Sequence, residues 1–286
     1  MPDDVVVHAT DDVEEYAAQV TPFLEADPVE RNVLLTVMVQ ALNGATWSGP
    51  PQFWWLTQAG AVVGASSWTP VYPLLISSVP YGAAAALADS ALERAAAIDV
   101  RLPGVTGPRD SAGDVAAVLA ERTEMHVTEN MRMIVHDLPD IHDVPEPPGG
   151  TRVAFPNEAP LVAEWMRAFA EDVRATHGNI ATSVRAAIEQ RRILLWVDGG
   201  VPRSTAARQP AVGGVTRIGA VYTPPEHRGH GYARRLVYEV SRYALGGPGV
   251  RTCTLNTDAT NPVSNAIYRQ IGYRPVAEHS EYLLVP

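Results

Sequence analysis

The stretch from Val215 to Ala233, V-T-R-I-G-A-V-Y-T-P-P-E-H-R-G-H-G-Y-A, constrains the fold more than any other part of this chain. The β-formers Val215, Ile218, Val221 and Tyr222 make a strand that must stop at Pro224-Pro225, where no amide hydrogen can join a ladder. Ala233, Leu236, Val237, Val240 and Ala244 then recur at helical spacing until Gly246-Gly247. Between strand and helix lies Arg228-Gly229-His230-Gly231-Tyr232. Glycines let successive backbone N–H groups turn toward one point, and the helix N-terminus adds roughly half a positive charge. Such a nest binds a phosphate or pyrophosphate, and Arg228 can add a charge-assisted fork.

Two phosphate-binding classes are excluded. The loop lacks the Lys-Ser/Thr of a P-loop, and it lacks both the G-x-G-x-x-G spacing and the later acidic residue of a dinucleotide fold. A second motif follows. Thr252–Thr257 alternates as a half-buried strand should, and Asn261-Pro262-Val263-Ser264-Asn265-Ala266-Ile267-Tyr268-Arg269-Gln270-Ile271-Gly272-Tyr273 reads as a capped helix. Asn261 is the cap, Pro262 sits in the first turn, Ser264 and Tyr268 share a face, and Gly272 is the stop.

Together these segments resemble the GNAT superfamily of acyl-CoA-dependent N-acyltransferases. Arg228, Gly231 and Ala233 fill the fixed positions of its [Q/R]-x-x-G-x-[G/A] loop, and Asn261, Ser264, Tyr268, Gly272 and Tyr273 fill N-x-x-S-x-x-x-Y-x-x-x-G-[F/Y]. The resemblance implies acetyl-CoA as cofactor, held by the loop residues Arg228, Gly229, His230, Gly231, Tyr232 and Ala233. It also implies main-chain pairing of Val221 and Thr223 with the pantetheine arm. Asn256, Asn261, Ser264 and Asn265 are candidates to orient cofactor amides, although capping is the plainer role for Asn261. Tyr268 sits where the family's general acid for the sulfur sits, the alternative being that its ring packs on the pantetheine.

The general base is open. Glu171, beside Asp172 at the end of the apolar-periodic Pro160–Val173, Glu226 in the loop, and His177 are candidates, as is a water chain. His227 and His230 read as exposed loop residues, and no metal-ligand spacing is present.

The expected fold is α/β in the α+β sense: two GNAT-like domains, each a mixed, mostly antiparallel sheet flanked by helices, with a splayed strand at the CoA site. Residues 151–286 carry the resemblance. Residues 1–140 repeat the same order of helices and strands without the Arg/Gly cradle, having only Pro80-Tyr81-Gly82 in its place. A strand is expected at Asp99–Leu102, with Pro103–Pro108 as a plain loop. Residues 141–150, polar and rich in Pro and Gly, read as a linker.

Charge divides the same way. Residues 1–150 hold six Arg against twenty-one Asp and Glu, a net of −15, whereas residues 151–286 hold sixteen against eleven, a net of +5; the sum is the −10 of the whole chain. The basic half is the one expected to hold a polyphosphate. No lysine occurs, which a GC-rich, actinobacterial-like genome explains. One cysteine, Cys253, and an acidic N-terminus without a basic leader suit the cytoplasm. No basic stripe with interleaved aromatics points to nucleic acid, and no apolar run reaches membrane-span length. The resulting expectation is an N-acetyltransferase acting on a primary amine of a small molecule, peptide or protein, with a homodimer allowed. The alternative is a non-catalytic acyl-CoA-binding regulator.

Overall fold

A computed structural model of the chain describes residues 5–173 and 179–286. One ten-element series occurs twice. The first pass is β1 (Val6–Thr10), α1 (Val13–Ala26), α2 (Asn32–Leu42), β2 (Gln52–Gln58), β3 (Ala61–Trp68), β4 (Leu74–Ile76), α3 (Ala84–Ala97), β5 (Gly104–Pro108), α4 (Arg109–Thr123) and β6 (His126–Asp137). The second is β7 (Gly150–Val153), α5 (Ala159–Asp172), α6 (Ile180–Glu189), β8 (Ile193–Asp198), β9 (Val201–Arg208), β10 (Val215–Tyr222), α7 (Tyr232–Leu245), β11 (Thr252–Asp258), α8 (Pro262–Ile271) and β12 (Arg274–Val285). The expected mixed sheets flanked by helices are present. Pairing is parallel at β4–β5 and β10–β11 and antiparallel at β1–β2, β2–β3, β8–β9 and β9–β10.

The chain forms two compact units, Met1–Ile134 with Ala277–Pro286, and Val135–Val276. In the first, the strand order is β1-β2-β3-β4-β5-β12-β6. Its core gathers Trp54, Leu56, Trp68, Leu74, Leu87 and Leu119. In the second, the end of β6 lies beside β11, followed by β10, β9, β8 and β7. Here α7 packs on one face through Leu236, Val237 and Val240, against Ile218, Cys253 and Leu255. On the opposite face, α5 and α6 pack through Val162, Trp165, Val184 and Ile188, against Ile193, Leu195 and Tyr222.

Three features depart from the sequence expectations. The strand expected at Asp99–Leu102 is instead Gly104–Pro108, the segment read as a loop. Its glycines belong there because neighbouring strands press on it: a Cβ on Gly107 would lie 2.5 Å from the Ile76 carbonyl oxygen, and one on Gly104 would lie 2.0 Å from that of Tyr282. The stretch read as a linker is a strap packed on the second unit. Val144 is buried, Trp196 Nε1 donates to the Pro148 carbonyl at 3.0 Å, and Arg235 binds Asp143, Glu146 and the Val144 carbonyl. Finally, His279–Leu284, expected in the second domain, pairs with β5 in the first, His279 opposite Pro108 and Leu283 opposite Gly104. Each half therefore ends in a strand that leaves it.

This exchange makes the last ten residues part of the first unit's core, where Ser280 and Leu284 are buried. Deleting Ala277–Pro286 is expected to destabilise that unit by on the order of 5 kcal/mol. Denaturant unfolding followed through Trp54, Trp55 and Trp68 fluorescence measures the loss.

Candidate active site

The site begins with a break in strand pairing. β10 meets β11 at three positions, Val215–Thr252, Thr216–Cys253 and Arg217–Thr254. Against β9 its register shifts between Gly219 and Tyr222, so one extra residue is accommodated, and Ala220 takes a left-handed φ of 48°. A bulge leaves main-chain groups unpaired and bends its strand. The ends of β10 and β11 thus form a split, with Val221 and Thr223 along one side and Asn256 on the other.

The chain then turns through Pro224–His227. Arg228 folds back: its Nε donates to the Thr223 carbonyl at 2.9 Å and its Nη2 to Asp172 Oδ2 at 3.1 Å, with the guanidinium 5.8 Å from the Tyr222 ring centroid. Gly229 and Gly231 have φ of +84° and +82°, the left-handed region where a side chain is strained. The N–H groups of Gly229, His230 and Gly231 have no hydrogen-bond partner among the described residues. A Cβ on Gly229 would meet nothing within 4 Å, so space lies open over the turn. His230 stacks on Tyr232 at 5.5 Å, and the Tyr232 hydroxyl donates to Asp198 Oδ2 at 2.8 Å, a bond that raises the phenol's pKa. Three unpaired donors at a helix start, with open space above them and an arginine alongside, fit a pyrophosphate.

The model of the acetyltransferase (GNAT) family matches residues 160–273. That segment is a GNAT domain. No curated protein matches the chain by sequence. Among solved structures, a Drosophila protein is similar over 99% of both chains, with a TM-score of 0.67 and 15% identity. A GCN5-related N-acetyltransferase from Sphaerobacter thermophilus covers 99% of this chain and 96% of its own, at 0.61 and 16%. A tandem GNAT protein from the clavulanic acid biosynthesis pathway covers 99% and 98%, at 0.56 and 16%. These likenesses extend the fold over both halves of the chain.

In the GNAT domain, α8 starts as its sequence requires: Asn261 Oδ1 accepts from the Ser264 N–H at 3.1 Å. Asn265 ties down the connection from β11, its Oδ1 accepting from Thr257 Oγ1 at 2.6 Å and its Nδ2 donating to the Asp258 carbonyl at 3.2 Å. Both amides are thus occupied within the turn, whereas Asn256 is exposed and Ser264 half-buried. Tyr268 is half-buried and its hydroxyl has no hydrogen-bond partner among the described residues. Its ring lies 6.0 Å from Tyr273, edge-on, and 6.5 Å from His136. Burial pushes its phenol up to about 12.

The base candidates are not drawn into this group. Glu171 and Glu226 are exposed, with no side-chain partner among the described residues. Their neighbour Asp172 is engaged by Arg228, and His177 lies outside the described residues. Two members of the site escaped the sequence reading: Asp172 as the partner of Arg228, and His136, a buried strand residue with no local signature. Among the described residues no group of three His, Cys, Asp or Glu can hold a metal ion, and no helix is long and apolar enough to cross a membrane.

The Gly272 stop holds the helix that carries Tyr268. Its φ is +113°, and a Cβ there would lie 2.0 Å from the Asp140 carbonyl oxygen. Gly272→Ala should cost about 2–4 kcal/mol, read as a drop in Tm. Asp172→Asn should change stability by less than about 1 kcal/mol, because that ion pair is more than half exposed on both sides.

Proposed function

We propose that the second unit is an N-acetyltransferase that moves an acetyl group from acetyl-CoA to a primary amine by direct attack. The observation that carries this reading is the split between β10 and β11 leading into the open turn at Gly229–Gly231. The N–H groups of Gly229, His230 and Gly231 would hold the pyrophosphate, with Arg228 exchanging Asp172 for phosphate oxygens. Main-chain groups of Val221 and Thr223, on the edge of β10 opened by the bulge, would hold the pantetheine arm in place of the missing ladder. The cofactor supplies an activated acyl thioester.

The chain's own part in the chemistry is positioning and proton transfer. Backbone donors freed by the bulge stabilise negative charge developing on the carbonyl oxygen. The amine must lose a proton before it attacks; the new C–N bond forms, the C–S bond breaks, the departing sulfur takes a proton from the Tyr268 hydroxyl, and the second proton shed by the nitrogen as the amide forms restores that phenol. With a pKa near 12, that phenol remains protonated through the physiological range and beyond. No carboxylate is assigned as the base in this reading, and a water chain reaching solvent from the split carries the amine's proton away.

The first unit is read as a non-CoA partner of the second. Its turn between β4 and α3 is Ser77–Ala83, where Gly82 has a φ of +84° but the turn's own sequence contains no arginine.

Binding, kinetic and pH measurements test this reading. Isothermal titration with acetyl-CoA should show binding by the native protein and at least tenfold weaker binding by Arg228→Ala and by Gly231→Asp; absence of binding by the native protein would sink the proposal. Tyr268→Phe should lower kcat by about 10²-fold with little change in the KM for acetyl-CoA. The native pH–rate profile should show no alkaline fall from Tyr268 below pH 10, since the folded phenol titrates near 12 rather than 10. The sign for stability follows. The folded state holds this proton more tightly than the unfolded one, so Tyr268 contributes stability below pH 10 that is lost as pH rises toward 12. Tyr268→Phe should remove that part of the alkaline loss.

A further inference from the structure

Arg217 lies in β10 at the last position paired with β11, where the split opens. Alternation along the strand fixes the face on which it stands. Ile218 packs with α7, so Arg217 points to the other face, the one covered by α5 and α6 near Tyr222. Its backbone is satisfied, the carbonyl accepting from the Gln209 N–H at 2.8 Å. Its side chain is not. The Nε is buried without a hydrogen-bond partner, and the guanidinium has neither a hydrogen bond nor an ion pair among the described residues. Burial pushes its pKa down to about 10, which still leaves it charged at neutral pH.

The residue is half-buried, so part of its guanidinium is taken out of water without a counter-charge among the described residues, which is costly. A guanidinium presents a planar fork suited to a carboxylate or a phosphate. The phosphate-binding turn opens α7, the helix on the opposite face, so a nucleophile reaching the split approaches from the face of Arg217.

We propose that Arg217 anchors an oxyanion, carboxylate or phosphate, carried by the amine acceptor at the end remote from its amine. This rests on the acyl-transfer reading of the same site. Four residues separate Arg217 from Val221, roughly 13 Å of strand. An α-amino acid, with both charged groups on one carbon, is too short to span from the anchor at the mouth of the split to Val221 within it. A short peptide, an ω-amino acid or a phosphorylated amine is long enough.

The test has an arm that does not need turnover. Thermal unfolding of the full-length protein is followed with succinate, with inorganic phosphate, and with chloride at matched ionic strength. Native protein should rise in Tm by several degrees with at least one of the oxyanions. Arg217→Met should lose the succinate shift and keep only the part of a phosphate shift that the Gly229–Gly231 turn supplies, and without the anion should melt at or above the native temperature, because an uncompensated charge has been removed. A succinate shift that persists in Arg217→Met, or a phosphate shift as large as the native one with no succinate shift, belongs to another anion site and overturns the assignment. So does an unresponsive native protein, or an Arg217→Met that melts lower than native. Which oxyanion acts separates carboxylate from phosphate acceptors. In the activity arm, amine acids should be preferred over their amides at least tenfold through KM, a preference lost in Arg217→Met while acetyl-CoA affinity is kept. Failure of acetyl-CoA to bind would remove the acyl-transfer reading and leave the anion response to be judged alone.

Discussion

One extra residue in β10, between Gly219 and Tyr222, breaks the strand's register with β9 and turns its end away from β11. The candidate site depends on this. A straight β10 would continue its parallel ladder past Arg217 and close the gap along which Val221 and Thr223 lie. The left-handed φ of Ala220 shows the local cost of the bend, since a residue with a Cβ seldom adopts it. The buried packing of Ile218 on the α7 face and Tyr222 against Trp165 on the other holds the strand in that path.

The turn at the end of β10 combines two kinds of electrostatics. Backbone N–H groups at Gly229–Gly231 are neutral, fixed and oriented, so they need no reorganisation when an anion arrives. Arg228 is mobile by comparison: more than half exposed, it rests on Asp172 and the Thr223 carbonyl. The pair keeps the guanidinium beside the turn without binding it strongly, since exposed ion pairs contribute little. Arg217 is the contrasting case, a half-buried cation with no such resting partner among the described residues.

Much of the second half was legible because its signals are local. A cap such as Asn261, a stop such as Gly272 and a loop such as Arg228–Ala233 act within a few residues of themselves. The same locality explains the failures. Nothing within G-V-T-G-P announces a strand; its glycines answer to the backbones of Ile76 and Tyr282. The Pro/Gly-rich stretch before residue 150 has the composition of a linker, yet Arg235 and Trp196 fasten it down. The pattern of β12 states that it is a strand but not whose strand, so its pairing with β5 could not be read. Asp172 meets Arg228 across 56 residues of sequence, a distance at which no spacing rule applies. The base stayed hidden for a physical reason as well, since an exposed carboxylate such as Glu171 or Glu226 carries no distinguishing mark.

Amide hydrogen exchange of the full-length protein, with and without acetyl-CoA, tests the central claim most directly. The account predicts slowed exchange at Gly229–Tyr232 and along Ala220–Thr223, with the corresponding turn of the first unit, Ser77–Ala83, unchanged. Protection confined to Ser77–Ala83, or found at neither turn, would contradict it.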